Sequence, residues 1–392
     1  MLCCFFTIPI FVSHTALPIL QYLAYCLLPI LFLIFNRKGT IIVAKEGAMN
    51  VGIVRDEIFL EHITDDYHPE NPNRLKYIYT MLNSIDKEGI TYTPPRVATH
   101  DEIALIHDHA YIASIAATEG KMQRRLDPDT VTSPKSYEAA CLAAGGVLQL
   151  ADMLFSSKIQ NGFALVRPPG HHAERNRAMG FCLFNNIAIG ARYLEKRYGL
   201  KRIVIVDFDL HHGNGTQHSF YGDSSILYFS THQYPYYPGT GWYNETGEGN
   251  GKGYTINIPL SHGMGDDDYE YVFREVLIPI TDQYKPEAVL VSAGFDSYYN
   301  DPLGGMSVTE GGFATMTKIL LEIADKHCNG KVICALEGGY DLNGLATSVK
   351  AVTMELKGTS MFTPDKKINP SNEIQETVDK VKQVLRPFWG EL

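Results

Sequence analysis

The chain has 392 residues, 45% of them hydrophobic and 20% charged, with a formal net charge of −10. That is an ordinary globular composition, long enough for one large α/β domain or two small ones. The acidic balance excludes sequence-independent nucleic-acid binding, since no basic run or aromatic-interleaved patch offsets it, and leaves room for a cationic substrate such as a Lys-rich tail or a polyamine. The cysteines include no CxxC pair, which excludes a disulfide framework and a cysteine-built zinc site and points to a reducing compartment.

In chain order, residues 2–35 carry no charged side chain. The run 16–35 has the length that crosses a bilayer core, at about 1.5 Å per residue. No basic residue precedes it, so it is a poor secretory signal. Arg37 and Lys38 follow directly, an arrangement that leaves everything downstream in the cytoplasm. A competing reading is an upstream extension without function, because Met49-Asn50-Val51-Gly52-Ile53-Val54 reads as a domain start at a first strand. Residues 1–48 are therefore either a transmembrane anchor or an extension, 49–360 form the main domain, and 361–392 form a tail with a polar helical pattern. Within the domain, helical patterns cover 73–86, 101–118, 135–156, 184–198, 269–284, 309–327 and 343–356. Apolar strand-like runs occupy 162–166, 203–206, 226–230, 255–258, 288–293 and 332–336, and the Gly-rich stretch 247–253 is a loop. Helices between strands, repeated, predict an α/β fold with a mainly parallel sheet flanked by helices.

Four of those strands run into unusual residues. Such sheets hold their sites at the C-terminal edge. The strand at 203–206 ends in Asp207, Asp209 and His211, spaced i, i+2 and i+4, so in extended backbone all three face one way. Two carboxylates and an imidazole suit a divalent cation. The strand at 162–166 runs through Arg167-Pro168-Pro169-Gly170, a rigid turn, into His171-His172, whose tandem rings suit separate roles better than shared metal ligation. The strand at 288–293 leads to Asp296, which alone reads as a turn or helix cap. The strand at 332–336 leads to Glu337-Gly338-Gly339-Tyr340, where the tyrosine alone reads as a core aromatic with a wet hydroxyl. Together they supply metal ligands, acid/base imidazoles and a neutral hydroxyl donor. That is the equipment of metal-assisted hydrolysis of an acyl bond.

These motifs resemble the histone deacetylase superfamily. The likeness runs from about 49 to 356 and rests on Arg167 to Ala173, Gly180-Phe181-Cys182, Asp207 to Gln217, Pro238 to Gly241, Gly294-Phe295-Asp296 and Glu337 to Tyr340. The His211 to Gln217 form is similar to the class II and bacterial branch. The resemblance implies the arginase/deacetylase-like α/β fold in a single catalytic domain, and removal of acetyl or other acyl groups from lysine side chains. By motif, Asp209, His211 and Asp296 would ligate zinc, while Asp207 would instead hold His171. A monovalent cation, potassium, would sit among backbone oxygens of Asp207, Asp209 and His211 with Ser230 and Thr231. Phe220, Asp223, Ile226 and Tyr254 align with a second cation site. His172 would move the protons, His171 would stay cationic, and Tyr340 would donate to the oxyanion. Gly180, Phe181, Tyr237 and Leu303 would line the channel, with Tyr237 more polar than the Phe of many relatives.

Asn214 stands where some branches carry a second Asp behind the His pair. Leu303 stands where polyamine-specific relatives carry an acidic residue, which favours an acetylated lysine of a protein or peptide over an acetylated small amine. Arg74 would line an acetate exit or form a salt bridge at a helix start, and Asp127 and Asp129 would border the rim. Two rivals remain. An arginase-like enzyme with two manganese ions needs further Asp ligands where His212 and Asn214 stand. A non-catalytic acyl-lysine binding module would usually lack the tyrosine or a ligand.

Overall fold

The computed structural model describes residues 32–35, 41–44, 50–65, 67–362 and 367–392. It divides into two units, Met1–Ala48 and Met49–Leu392. In the first, Phe32–Phe35 pairs antiparallel with Ile41–Ala44. The membrane span expected at 16–35 lies outside the described residues except for those last four, which form a strand. Among the described residues, one helix is long and apolar enough to cross a bilayer, Ser136–Phe155, but 72% of its apolar window is buried inside the protein. It is a core helix.

The second unit is built on an eight-stranded sheet. Its strands are β1 Val51–Val54, β2 Ile90–Thr93, β3 Asn161–Ala164, β4 Ile203–Asp207, β5 Ile226–Gln233, β6 Thr255–Leu260, β7 Ala288–Ala293 and β8 Val332–Leu336. Their order is β6-β5-β4-β7-β8-β3-β1-β2, every neighbouring pair parallel. The alternation of helix and strand favours this, because a parallel crossover usually runs through a helix; β5 reaches β6 instead through 234–254, with only the 3-10 turn Gly249–Gly251 on the way. The runs in β4 and β7 are apolar along their length because both faces are covered, and every residue of both strands is buried.

Register places the site. Asp207 pairs with Ser230 of β5 and with Ser292 of β7, and Ala293 pairs with Leu336 of β8. The strand ends therefore lie level across the sheet, and the residues that follow them emerge side by side at one edge.

Three elements differ from the periodicity. The helix expected over 101–118 is two, His100–Ile103 and His109–Ala116. Between them His107 turns inward; its Nδ1 donates to the Glu174 carbonyl at 2.9 Å and its Nε2 accepts from the Asn185 amide at 2.9 Å. The half-buried edge strand β2 and the short helix Asn214–Phe220 carry too weak a pattern to be read locally. In the tail, Ser371 caps the helix Asn372–Trp389, which buries Ile374, Val378, Val381 and Leu385 and packs on β6. Trp389 closes it with an Nε1 hydrogen bond to the Gly253 carbonyl at 2.8 Å.

Candidate active site

The loop after β4 carries Asp209 and His211, and the loop after β7 carries Asp296. One ligand atom from each lies within 4.8 Å of the others. His211 Nδ1 is 3.2 Å from Asp209 Oδ1 and 2.9 Å from Asp296 Oδ2. The other carboxylate oxygens are held by backbone amides, Gly338 N to Asp209 Oδ2 at 2.8 Å and Leu210 N to Asp296 Oδ1 at 2.9 Å. A Cβ on Gly338 would lie 2.4 Å from Asp296 Oδ2 and 2.7 Å from Asp209 Oδ2, so only glycine lets β8 close against both carboxylates. Burial opposes charge on His211, but the two carboxylates more than offset it and push the imidazole up to about 10. The cluster thus demands a cation between its members. A proton can fill that place, and a divalent ion fits the same donors.

Beside this cluster the His171–His172 turn is held from below. Glu337 Oε2 accepts from the amides of Gly170 at 2.6 Å and His171 at 3.1 Å, and Ser292 Oγ donates to its other oxygen at 3.0 Å. His171 Nδ1 donates to Asp207 Oδ2 at 3.1 Å, which also accepts from the Tyr228 hydroxyl at 3.1 Å. Burial disfavours its charge, but Asp209 and Asp207 overcome that and hold it up to about 10. His172 differs. Its Nδ1 contacts Asn214 Oδ1 at 2.7 Å, a neutral partner. Burial, then the positive rings of His171 and His211, push it well below the usual histidine range. Two adjacent imidazoles are therefore driven apart, His171 held cationic by Asp209 and Asp207 and His172 kept neutral by burial and the two positive rings beside it.

Asp129, Pro169, His171, His172, Gly180, Phe181, His211, Tyr237, Leu303, Gly338 and Tyr340 line one pocket with a cavity volume of about 80 Å³. All four expected channel residues are among them. Tyr237 stands edge-on to His172 with centroids 5.2 Å apart, and Phe181 edge-on to Tyr340 at 6.0 Å. Phe181 follows Gly180 with both at positive φ, 68° and 56°, and its amide donates to Thr130 Oγ1 at 3.0 Å. Asp127 caps the turn behind the rim by accepting from the amides of Asp129 and Thr130. The Tyr340 hydroxyl has no hydrogen-bond partner among the described residues. Burial keeps the phenol protonated far above its ordinary range. Asp301 braces that corner by accepting from the amides of Tyr340 at 2.6 Å, Asp341 at 3.1 Å and Leu303 at 2.9 Å.

The expected salt bridge of Arg74 is present, and it is wholly buried. Its Nη1 meets Glu70 Oε1 at 3.0 Å, its Nε donates to the Gly339 carbonyl at 2.7 Å and its Nη2 to the Glu337 carbonyl at 2.5 Å. Its guanidinium lies 5.1 Å from the Tyr340 ring centroid. Glu70 also pairs with Arg167 through Nε and, at 2.7 Å, through Nη2.

For the expected cation positions, Asp207 and Ser230 are register partners. Ser230 Oγ contacts His232 Nδ1 at 2.9 Å, and the buried Thr231 hydroxyl has no hydrogen-bond partner among the described residues. At the second position the Asp223 carboxylate meets Arg192 at 2.5 Å, and that guanidinium lies 4.7 Å from the Phe220 centroid. His212, a ligand position in the two-manganese reading, points away to Thr240 Oγ1 at 2.7 Å and Gln217 Oε1 at 3.0 Å.

Sequence reasoning left Glu337 and Glu174 without roles. Burial pushes Glu337 up to about 7, against the pull of His171. A carboxylate ending a fully apolar strand was the signal for it. Glu174 gave none, because its partner Asn214 is distant in sequence.

A wholly parallel sheet with a carboxylate–imidazole cluster at its C-terminal edge is the arginase/deacetylase type of α/β fold. The family model of the histone deacetylase domain matches residues 68–356. A probable deacetylase of Archaeoglobus fulgidus is 40% identical over 357 residues, covering 87% of this chain and 99% of that protein. Histone deacetylase 5 of Arabidopsis thaliana is 38% identical over 370 residues, covering 89% of this chain but 55% of the plant protein. The crystal structure of the HDA15 HD domain superposes with a TM-score of 0.81 at 37% identity, covering 87% of this chain and 95% of that one. The chain belongs to the histone deacetylase family. It spans nearly the whole archaeal relative and about half of the plant one.

Proposed function

We propose that this chain is a zinc-dependent amidohydrolase that removes acetyl or related acyl groups from lysine side chains of proteins or peptides, with potassium bound beside the zinc. The observation that carries the reading is the convergence of the Asp209–His211–Asp296 cluster, the His171–His172 pair and Tyr340 on one pocket. Asp209, His211 and Asp296 would hold the zinc, leaving a position open to substrate and water. When bound, zinc supplies Lewis acidity that polarises the acyl carbonyl and acidifies water.

The chain's own groups do the rest. Phe181 and Tyr237 flank the lysine stem. His172 is neutral, and with its Nδ1 proton given to Asn214 its Nε2 is free to take a proton from the attacking water. It returns that proton to the leaving amine. His171, kept cationic by Asp209 and Asp207, stabilises the negative charge that develops, and the Tyr340 hydroxyl donates to the oxyanion. Leu303 offers no counter-charge to a distal ammonium, so an acyl-lysine peptide should outcompete acetylated putrescine or spermidine in kcat/KM. The opposite ranking would move the assignment to acetylpolyamines.

His211→Ala should remove zinc from the purified protein, measured by elemental analysis. Wild-type protein that takes up none would end the zinc reading, and two metals per chain would revive the arginase-like one. Asp207→Asn should leave zinc content near normal and lower kcat, because its side chain pairs with His171 and reaches the ligand cluster only through the Asp209 backbone amide, at 3.2 Å. Loss of zinc in that variant would place Asp207 among the ligands.

A further inference from the structure

An imidazole backed by a carboxylate has one choice of tautomer, because the carboxylate only accepts. An imidazole backed by a carboxamide has two, because the amide can present either its oxygen or its NH₂. His172 is in the second situation. With the Asn214 amide reversed, its NH₂ would face Nδ1, the ring proton would sit on Nε2, and the base proposed above would be blocked. Something must decide the orientation.

Glu174 Oε1 lies 2.5 Å from Asn214 Nδ2. The remaining contacts of that NH₂ are weaker, the His172 carbonyl at 3.3 Å and the Met179 sulfur at 3.4 Å. The Glu174 side chain is 14% exposed, and its Oε1 also accepts from His218 Nδ1 at 2.8 Å. Its backbone is pinned on both sides, the carbonyl by His107 Nδ1 at 2.9 Å and the amide to the Arg177 carbonyl at 2.9 Å. An ionised carboxylate can only accept, so the NH₂ must turn to Glu174 and the amide oxygen to His172.

We infer that Glu174, backed by His218, is a positioning residue that fixes the Asn214 amide and so holds His172 in the tautomer with Nε2 free. This rests on the reading of His172 as the base, and its test separates the two. In wild-type protein labelled with 15N-histidine, the His172 ring should show a single Nδ1–H tautomer. Glu174→Gln should retain zinc, show a mixture of tautomers, and lose about 10-fold or more in kcat with little change in KM.

The double variant Glu174→Gln with Asn214→Asp exchanges amide and carboxylate. The new carboxylate at 214 can accept from His172 and from the new amide at 174. It should regain the single tautomer and most of the lost kcat, which a merely structural role of Glu174 would not predict. An Nε2–H tautomer in wild type overturns the inference. So does a Glu174→Gln variant with unchanged tautomer and kcat, or a double variant no better than the single. If the tautomers behave as described but the wild type does not hydrolyse acyl-lysine, the positioning role stands and the proposed function falls.

Discussion

Tyr340→Phe is expected to lower kcat on an acetyl-lysine peptide by about 10²–10³-fold, equivalent to about 2.7–4 kcal/mol, with zinc content unchanged. The size follows from what the hydroxyl does and does not do in the resting protein. It lines the pocket and has no hydrogen-bond partner among the described residues, so its removal strands no donor or acceptor. The ring is fixed independently, by the Arg74 guanidinium on one side and Phe181 edge-on at the other. Phenylalanine therefore fits the same space, and the loss falls on the oxyanion contact, which exists only as the carbonyl is attacked. A variant within a few-fold of wild type would move oxyanion stabilisation to His171 and the metal.

Glu70→Gln is expected to destabilise the fold by about 3–5 kcal/mol in chemical denaturation. Glu70, Arg74 and Arg167 are each fully buried, and Glu70 is the shared counter-charge of the two guanidiniums. The neutral amide would leave two buried cations facing carbonyls alone. The same group predicts acid sensitivity. Burial alone would raise the Glu70 carboxyl, but Arg167 and Arg74 overcome it and hold the group well below its ordinary 4.5. A depressed carboxyl contributes stability that is fully present above about pH 4.5 and is lost as pH falls toward the folded value. His62, 3.6 Å from Glu70, acts in the same direction. Burial and then Arg167 lower its imidazole to about 3, so the fold keeps it neutral while the unfolded chain protonates it, and stability is lost as pH falls from about 6.5 toward 3. The melting temperature of the wild type should begin to fall below about pH 6.5 and fall more steeply below about pH 4.5, and Glu70→Gln should flatten the lower part of that fall. An unchanged slope would assign the acid limb to other carboxylates.

The candidate site was legible where a buried strand ended abruptly in titratable residues. The apolar run Ile203 to Val206 cannot continue into Asp207, Asp209 and His211 without placing them at a sheet edge. Parallel pairing then brings Asp296 and Tyr340 to the same edge. Spacing could not divide Asp207 from Asp209, since both face one way in extended backbone. The division depends on neighbours from other strands. Tyr228 and His171 take Asp207, while Gly338 and His211 take Asp209. Partners far away in sequence also hid the Glu70–Arg167 pair and the Glu174–Asn214 contact. The break in the helix expected over 101–118 has the same origin. His107 satisfies two backbone groups of the loops around the histidine pair, and that gain outweighs continued helical periodicity.

The level strand ends carry one more consequence, for the order in which the molecule matures. Asp209 and His211 leave β4, Asp296 leaves β7, and Gly338 leaves β8 to close over both carboxylates. No local hairpin or fragment contains the whole set. On the ribosome the proposed metal cradle cannot exist until most of the chain has been made and these distant parallel strands have paired, the slowest kind of contact to form. Stoichiometric zinc uptake would then report completed folding, and a refolding experiment should show metal binding lagging behind the recovery of secondary structure.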